Sequence, residues 1–567
     1  MKKQEKKFVL AALALLAITG LLALAGCKND TVPEPTRYTV KFETDHGTAP
    51  ADITVVSGTK LTDKDLAIEP EVGDNIFEYW YGKDDDAQKP VEEGYTVTKD
   101  VTLVAKWRDR GTVASVTFTP PTDTKFYLDE SIEVSLTSED GATIQYKLGD
   151  QNWQDYTADT TISITGDTTI TAKATKEGLK PSDEITATYT VRKLEGITVT
   201  TLPAQTVYSE RQSFDPTGMV VTATYDDKSQ REVTGWETDF NTVAGEKGLN
   251  KPVTVSYTEG ETPKTTTFTV TVFPAEVKVL TGYTSPNNTD DSWTYVEFGK
   301  WPQSEAPGVN PTQATPQSEN LFKDKYYFDA NGEYVKEGDN YYKVEPIVWR
   351  VLTTSYEAPE GGTVGEILLL AEKILTGGIK WADSSNDYMQ SYIRKWLNGN
   401  SGTEKTSDYN GDAGFLQTAF TESAQNLIAD TTVDNSAAST TDAGNNLTQA
   451  DGCSDTTDKI FLLSEEEATT SEYGFAEYNV YVGDNDGTTT STRIRVTTDY
   501  AKATGAYQGD PSKGYGGWWW LRSPIYGYAY ELLARVIYDY GRADIDDYVF
   551  NSYGGVVPAL SISLGGN

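Results

Sequence analysis

Over most of the chain apolar and polar residues alternate with a period of two, the pattern of strands with one face buried. It starts at Tyr38-Thr39-Val40-Lys41-Phe42 and returns at Ile53-Thr54-Val55-Val56, Phe77-Glu78-Tyr79-Trp80-Tyr81 and Val101 to Trp107. Asp45-His46-Gly47 and Gly58 punctuate these runs as turns. Similar strands follow at Thr143 to Lys147, Ile170 to Ala174 and Val220 to Tyr225. After Pro274 the pattern changes. Asn331-Gly332 supplies a positive-φ turn for a hairpin, Tyr341 to Leu352 reads as a half-buried strand, and Ile367 to Ala371 as a fully buried one. Tyr388 to Asn398 predicts a short amphipathic helix and Gly414 to Ile428 a second. Ala429 to Thr457 reads as a polar loop. Lys459 to Ser464 is a strand, and Ser464 followed by Glu465-Glu466-Glu467 is a helix N-cap with acids at the positive end of the dipole.

The N-terminus departs from this pattern. A basic stretch to Lys7 precedes an apolar run from Phe8 to Ala25 and then Gly26-Cys27. This is the layout of a secretory signal, and the run is also long enough for a membrane-spanning helix. Leu24-Ala25-Gly26-Cys27 resembles the lipobox of bacterial lipoproteins. That resemblance implies cleavage before Cys27, its lipidation, export across the inner membrane and a membrane anchor at the cell surface or outer membrane, with a periplasm-facing position open. Several acyl chains anchor stably where one does not. Residues 28–36, with Pro33 and Pro35, are then a tether.

Three modules follow. Residues 37–108, with "YTVKFETDHG" and "DVTLVAKW", resemble the Listeria–Bacteroides surface repeat, a β-grasp-like fold. Residues 112–192, with Gly141-Ala142-Thr143-Ile144 and Ile170-Thr171-Ala172-Lys173-Ala174, are similar to the fibronectin-III-like sandwich at the C-terminus of chitobiases, an accessory domain. Residues 194–273 carry Phe214-Asp215-Pro216-Thr217-Gly218-Met219-Val220 and resemble a bacterial Ig-like sandwich. Residues 274–292 read as a linker.

Residues 293–567 contain Glu297-Phe298-Gly299-Lys300-Trp301-Pro302, Trp349-Arg350-Val351-Leu352, Ile393-Arg394-Lys395-Trp396-Leu397-Asn398, Trp520-Leu521-Arg522-Ser523-Pro524 and Val557-Pro558-Ala559-Leu560. The set resembles a bacterial domain family of unassigned function found on secreted and lipoprotein chains. Relatives often carry Arg where Val557 stands. The tail is also similar in layout to C-type-lectin-like folds of the sulfatase-modifying-factor type, some of which are variable receptors of diversity-generating retroelements. Adenine-randomised Asn-type codons cannot yield Lys, Glu, Gln, Met or Trp, and none of these occurs from Leu532 to Asn567. The positions this resemblance marks as variable are Ile537, Tyr538, Asp539, Tyr540, Arg542, Asp544, Asp546, Asp547, Tyr548, Phe550 and Asn551. The expected fold class is therefore a multidomain, mainly β chain: a β-grasp-like repeat, two β-sandwiches and an α+β C-type-lectin-like domain.

Composition narrows the chemistry. The 567 residues hold 85 Asp and Glu against 48 Lys and Arg, a net charge of −37, which disfavours binding to nucleic acid. One His and two Cys remove the raw material of most histidine catalysis and most zinc sites. With Cys27 lipidated, Cys453 has no disulfide partner. His46 sits in a turn, and Ser523 reads as a strand-end turn. Neither a phosphate-binding Gly loop nor G-x-S-x-G is present. Asp408 to Asp412 and Asp484 to Gly487 look like fragments of calcium loops, but the Gly is misplaced and no Glu follows at the right distance. They read as turns, and calcium stays open only through the lectin-like resemblance.

The 35 Tyr residues are more informative. Tyr526, Tyr528, Tyr530, Tyr538, Tyr540, Tyr548 and Tyr553 crowd about thirty positions, interleaved with Asp and Gly. Tyr offers a large rigid contact area with a polar tip at low entropic cost. Tyr526, Tyr528, Tyr530, Tyr538, Asp539, Tyr540, Asp544, Asp546, Asp547, Tyr548 and Asn551 are thus the candidate ligand-binding residues, for a protein or glycan. The expected function is non-enzymatic recognition from a lipid-anchored stalk. Two alternatives stay open. One is a carbohydrate-active or cell-wall-associated enzyme using Glu465 to Glu467 or Asp544, Asp546 and Asp547 as paired carboxylates; the other is a purely structural surface protein.

Overall fold

The computed structural model describes residues 33–69, 71–287, 293–316, 321–356, 366–399, 413–440, 453–475, 492–526, 532–543 and 545–564. Cys27, the apolar run before it, Tyr528, Tyr530, Asp544 and both calcium-loop fragments lie outside these residues. The chain is multidomain and mainly β, and it divides into two compact units between Val191 and Arg192. No helix among the described residues is long and apolar enough to cross a membrane.

In the first unit, Arg37–Glu43 pairs antiparallel with Ile53–Val56 and parallel with Val101–Asp109, whose other edge takes Asn75–Gly82. Alternation turns Val40 and Phe42 inward, where they meet Leu61, Trp80, Val97, Leu103 and Ala105. The Trp80 indole N–H, which burial would otherwise strand, donates to the Leu66 carbonyl at 2.8 Å. Next, a five-stranded and a three-stranded sheet share one core. Thr168–Thr175 shows why: Ile170, Ala172 and Ala174 are buried, while Thr171 and Lys173 between them stay partly exposed.

The second unit opens with a three-stranded and a four-stranded sheet over residues 194–273. The segment read as a linker then contributes to the next sheet, because Lys278–Leu280 pairs with Tyr295–Glu305. That sheet runs through Asn340–Tyr356, Glu366–Ala371, Ala559–Ser563 and Ile460–Phe461. Glu366–Ala371 is buried at every position, so its near-continuous apolar run marks a strand covered on both faces. Trp519–Tyr526, Leu532–Ile537 and Ile545–Tyr548 form a separate three-stranded sheet.

The helices between these strands are short. Tyr392–Asn398 starts at Ser391, whose hydroxyl accepts from Arg394 N. The single helix expected over 414–428 is two, Phe415–Ala419 and Glu422–Gln425, because Thr421 adopts extended backbone and caps the second through Ala424 N. The expected loop 429–457 likewise contains paired strand ends, Thr431–Val433 and Thr456–Asp458. Ser464 and Glu467 form a reciprocal capping box at Glu465–Thr469, as Ser464 followed by acids predicts.

Candidate functional site

The strand Leu532–Ile537 ends in a tight turn. Tyr538 N donates to Arg542 O at 2.9 Å and Gly541 N to Tyr538 O at 2.8 Å. Gly541 takes φ +86°, a conformation that disfavours any side chain. The turn sets the Tyr538 and Tyr540 rings 5.2 Å apart, edge to face. Gly516 N donates to Asp539 O at 2.8 Å, which brings the loop 505–517 alongside. Tyr515 then lies 5.9 Å from Tyr540. The approach needs glycine, since a Cβ at Gly509 would stand 2.9 Å from Asp539 Oδ2 and from Tyr515 Cβ.

Asp539 is buried beneath these rings. Burial pushes its carboxyl above the usual range, against hydrogen bonds that include one from the Tyr507 hydroxyl. Tyr507 N donates to Tyr553 O at 2.9 Å, and these two side chains are 43% and 60% exposed. Trp518 lies 6.4 Å from Tyr507, and Trp520 5.9 Å from Trp518. Tyr515, Tyr538 and Tyr540 thus form one ring cluster at the turn, and Tyr507 joins the buried Asp539 to the indoles of Trp518 and Trp520. Exposed apolar rings that lie together, unlike single ones, mark surfaces that meet a partner.

The other candidates lie on and after Ile545–Tyr548. Tyr548 and Phe550 stack at 5.1 Å and 19°, exposed by 37% and 49%. Asp547 accepts from Asn551 Nδ2 at 2.7 Å and from Tyr548 N at 2.8 Å, and burial raises its carboxyl. Asp546 is 3.8 Å from Arg535 Nη1. Ile537, marked as variable, is fully buried. The backbone of Tyr526 closes the strand Trp519–Tyr526 and pairs with Leu532, and of its side chain nothing is described.

Residues 364–564 match the family described as a domain of unknown function, DUF6273. The chain matches no curated protein. The matched stretch covers about a third of the chain and holds every residue of the aromatic cluster. Tyr507, Tyr515 and Trp518 were not among the candidates expected from the sequence. Gly505, Gly509, Gly514 and Gly516 flank them, and aromatics between glycines were the available signal.

Among the described residues of the matched stretch, Glu465, Glu467 and Ser523 serve the structure. Glu465 is fully buried against Arg535 Nε at 3.1 Å, and Glu467 pairs with the buried Arg522. Glu466 is raised, first by burial and then by Glu467 and Asp434. Ser523 is not at a strand end: it is buried inside Trp519–Tyr526, where its hydroxyl accepts from Glu465 N at 2.8 Å. The strand's pairing register shifts between Trp520 and Pro524, across Ser523. Burial pushes the Cys453 thiol up to about 11, so it stays a thiol. Among the described residues no group of three or more His, Cys, Asp or Glu is placed to hold a metal ion.

A hollow of about 520 Å³ also opens in the second unit, floored by Phe298, Phe322 and Phe420 and rimmed by Lys300, Glu297 and Glu333. None of the residues singled out from the tail lines it.

Proposed function

We propose that this chain is a lipid-anchored bacterial surface protein whose β-modules hold a C-terminal ligand-binding region away from the membrane. The observation that carries the reading is the tyrosine cluster, with Tyr507 and Tyr553 exposed and Tyr507 bonded to the buried Asp539. Rings held by glycine turns present apolar area with little entropy left to lose on binding. In this reading residues 37–108 are a β-grasp-like repeat, the next two modules are an accessory sandwich and an Ig-like sandwich, and residues 293–567 are C-type-lectin-like. The ligand is a protein or a glycan, bound without turnover.

A glycan and protein array probed with the exported chain tests the binding claim. Tyr507→Ala, Tyr540→Ala and Tyr553→Ala together should abolish capture of whatever the unaltered chain retains; undiminished capture would reject this face. Turnover of glycosides by the same preparation would instead favour an enzyme. For the anchor, labelled palmitate should enter the chain and be lost in Cys27→Ala. Retroelement diversification requires a nearby template copy of the 532–567 coding region that differs only at adenines.

A further inference from the structure

Among the described residues, three buried ionic side chains in the second unit leave a charge unbalanced. Arg350, Glu372 and Arg495 are all fully buried. Glu372 Oε1 accepts from Arg350 Nη2 at 3.2 Å, from Asn287 Nδ2 at 2.7 Å and from the Ser285 hydroxyl. Arg350 Nη1 and Arg495 Nη1 converge on one acceptor, the Thr492 carbonyl, at 3.1 and 2.9 Å. Arg495 Nη1 also reaches Ile494 O at 2.9 Å.

Donors remain over. Among the described residues, Arg495 Nε and Nη2, Arg350 Nε and the Trp293 indole N–H are buried without an acceptor, and so is Glu372 Oε2 without a donor. The Trp293 ring lies 5.0 Å from the Arg350 guanidinium, and the two arginines meet at the Thr492 carbonyl. Burial, and after it the neighbouring Arg350, pushes Arg495 down to about 9 despite Glu372. Two guanidiniums against one carboxylate leave one positive charge. Water could accept from the free N–H groups, but it would not remove that charge from a low-dielectric interior.

We infer that a small monovalent anion of halide size binds between Arg350 and Arg495, taking the free Nε and Nη2 hydrogens. The single excess charge sets the valence, and the full burial of both guanidiniums favours a small ion over a large one. Bound there, the anion ties the segment 492–496 to the strand Asn340–Tyr356. The segment is already docked, since Asn287 Oδ1 accepts from Val496 N at 2.6 Å. The same stretch leads into the loop that carries Tyr507 and Tyr515.

The test is thermal unfolding of the full chain in sodium chloride or bromide against sodium gluconate at equal ionic strength. A halide should raise Tm by about 2–4 °C, as an anion bound only by the folded state requires. Crystals grown in bromide should show an anomalous peak between the two guanidiniums. Arg495→Met should abolish the halide shift; if that variant does not fold, the bromide peak in the unaltered chain decides. Neither shift nor peak, or bromide found only elsewhere, would overturn the inference. Asp290 and Asp291 follow Asn287 closely in the sequence and lie outside the described residues, so Asp290→Asn with Asp291→Asn should leave the halide shift intact. Loss of stability in that variant, with no halide shift in the parent, would assign the counter-charge to the chain itself and reject the anion.

Discussion

The sheet of residues 37–109 and the sheet that contains Glu366–Ala371 both rest on alternating or apolar strands, yet they place charge differently. In the first, ion pairs stay outside: Lys83 and Glu43 meet at 2.6 Å with both side chains half in water. Around the second, Arg350, Arg495, Arg522, Glu372 and Glu465 are buried with the apolar core. Where one face is wet, a period-two pattern suffices and charge serves solubility. Where both faces are covered, each interior charge needs a fixed partner. Arg522, for example, bonds the Leu462 and Asp434 carbonyls as well as Glu467. Such side chains bind loops to strands, which apolar packing alone does less specifically.

The contrast can be broken by substitution. Arg522→Met leaves Glu467 unpaired in the interior and should cost about 3–5 kcal/mol by denaturant unfolding of the second unit. A loss near that of an exposed pair would end the distinction. A smaller effect follows from acid titration. Burial alone would raise Glu372, but Arg495, Arg350 and the hydrogen bonds from Ser285 and Asn287 hold it below the usual value. A carboxyl lowered in the folded state stabilises above its unfolded pKa of about 4.3 and loses that contribution as pH falls through the folded pKa. Glu372→Gln should flatten the acid limb of the stability curve below about pH 4. An unchanged limb would show that the carboxyl is not charged in the fold.

Next, Ser464→Ala removes the cap at Glu465–Thr469 and should cost about 1 kcal/mol. Lys83→Met, in the first sheet, should cost about 0–1 kcal/mol and respond to salt. Tyr553→Ala should change stability least, within about 0.5 kcal/mol, while weakening any ligand. A large stability loss there would make the ring part of the core and not of a binding face.

Much of the first unit was legible because one residue in two had to be apolar: Val40 and Phe42, or Ile170, Ala172 and Ala174, announce their own faces. Local signals worked too, as with Ser464 and the Asn331-Gly332 turn, where Gly332 takes φ +147°. The second unit was legible as elements and not as a sheet. Nothing local says that Ala559–Ser563 pairs with Glu366–Ala371, nearly two hundred residues earlier, since only the shared core selects that partner. The aromatic face was half legible for the same reason. Tyr538 and Tyr540 stand in a dense run, but Tyr507 and Tyr515 reach them through backbone bonds at Gly516 and Tyr553 that no spacing reveals.

Ala559–Ser563 pairs with Glu366–Ala371 on one edge and with Ile460–Phe461 on the other. A strand made after both of its neighbours, yet lying between them, acts as a keystone in time. Until a ribosome has released residue 563, both neighbours offer open edges to any passing strand. Synthesis halted before residue 559 leaves the sheet unclosed, with two edges open to misplaced pairing.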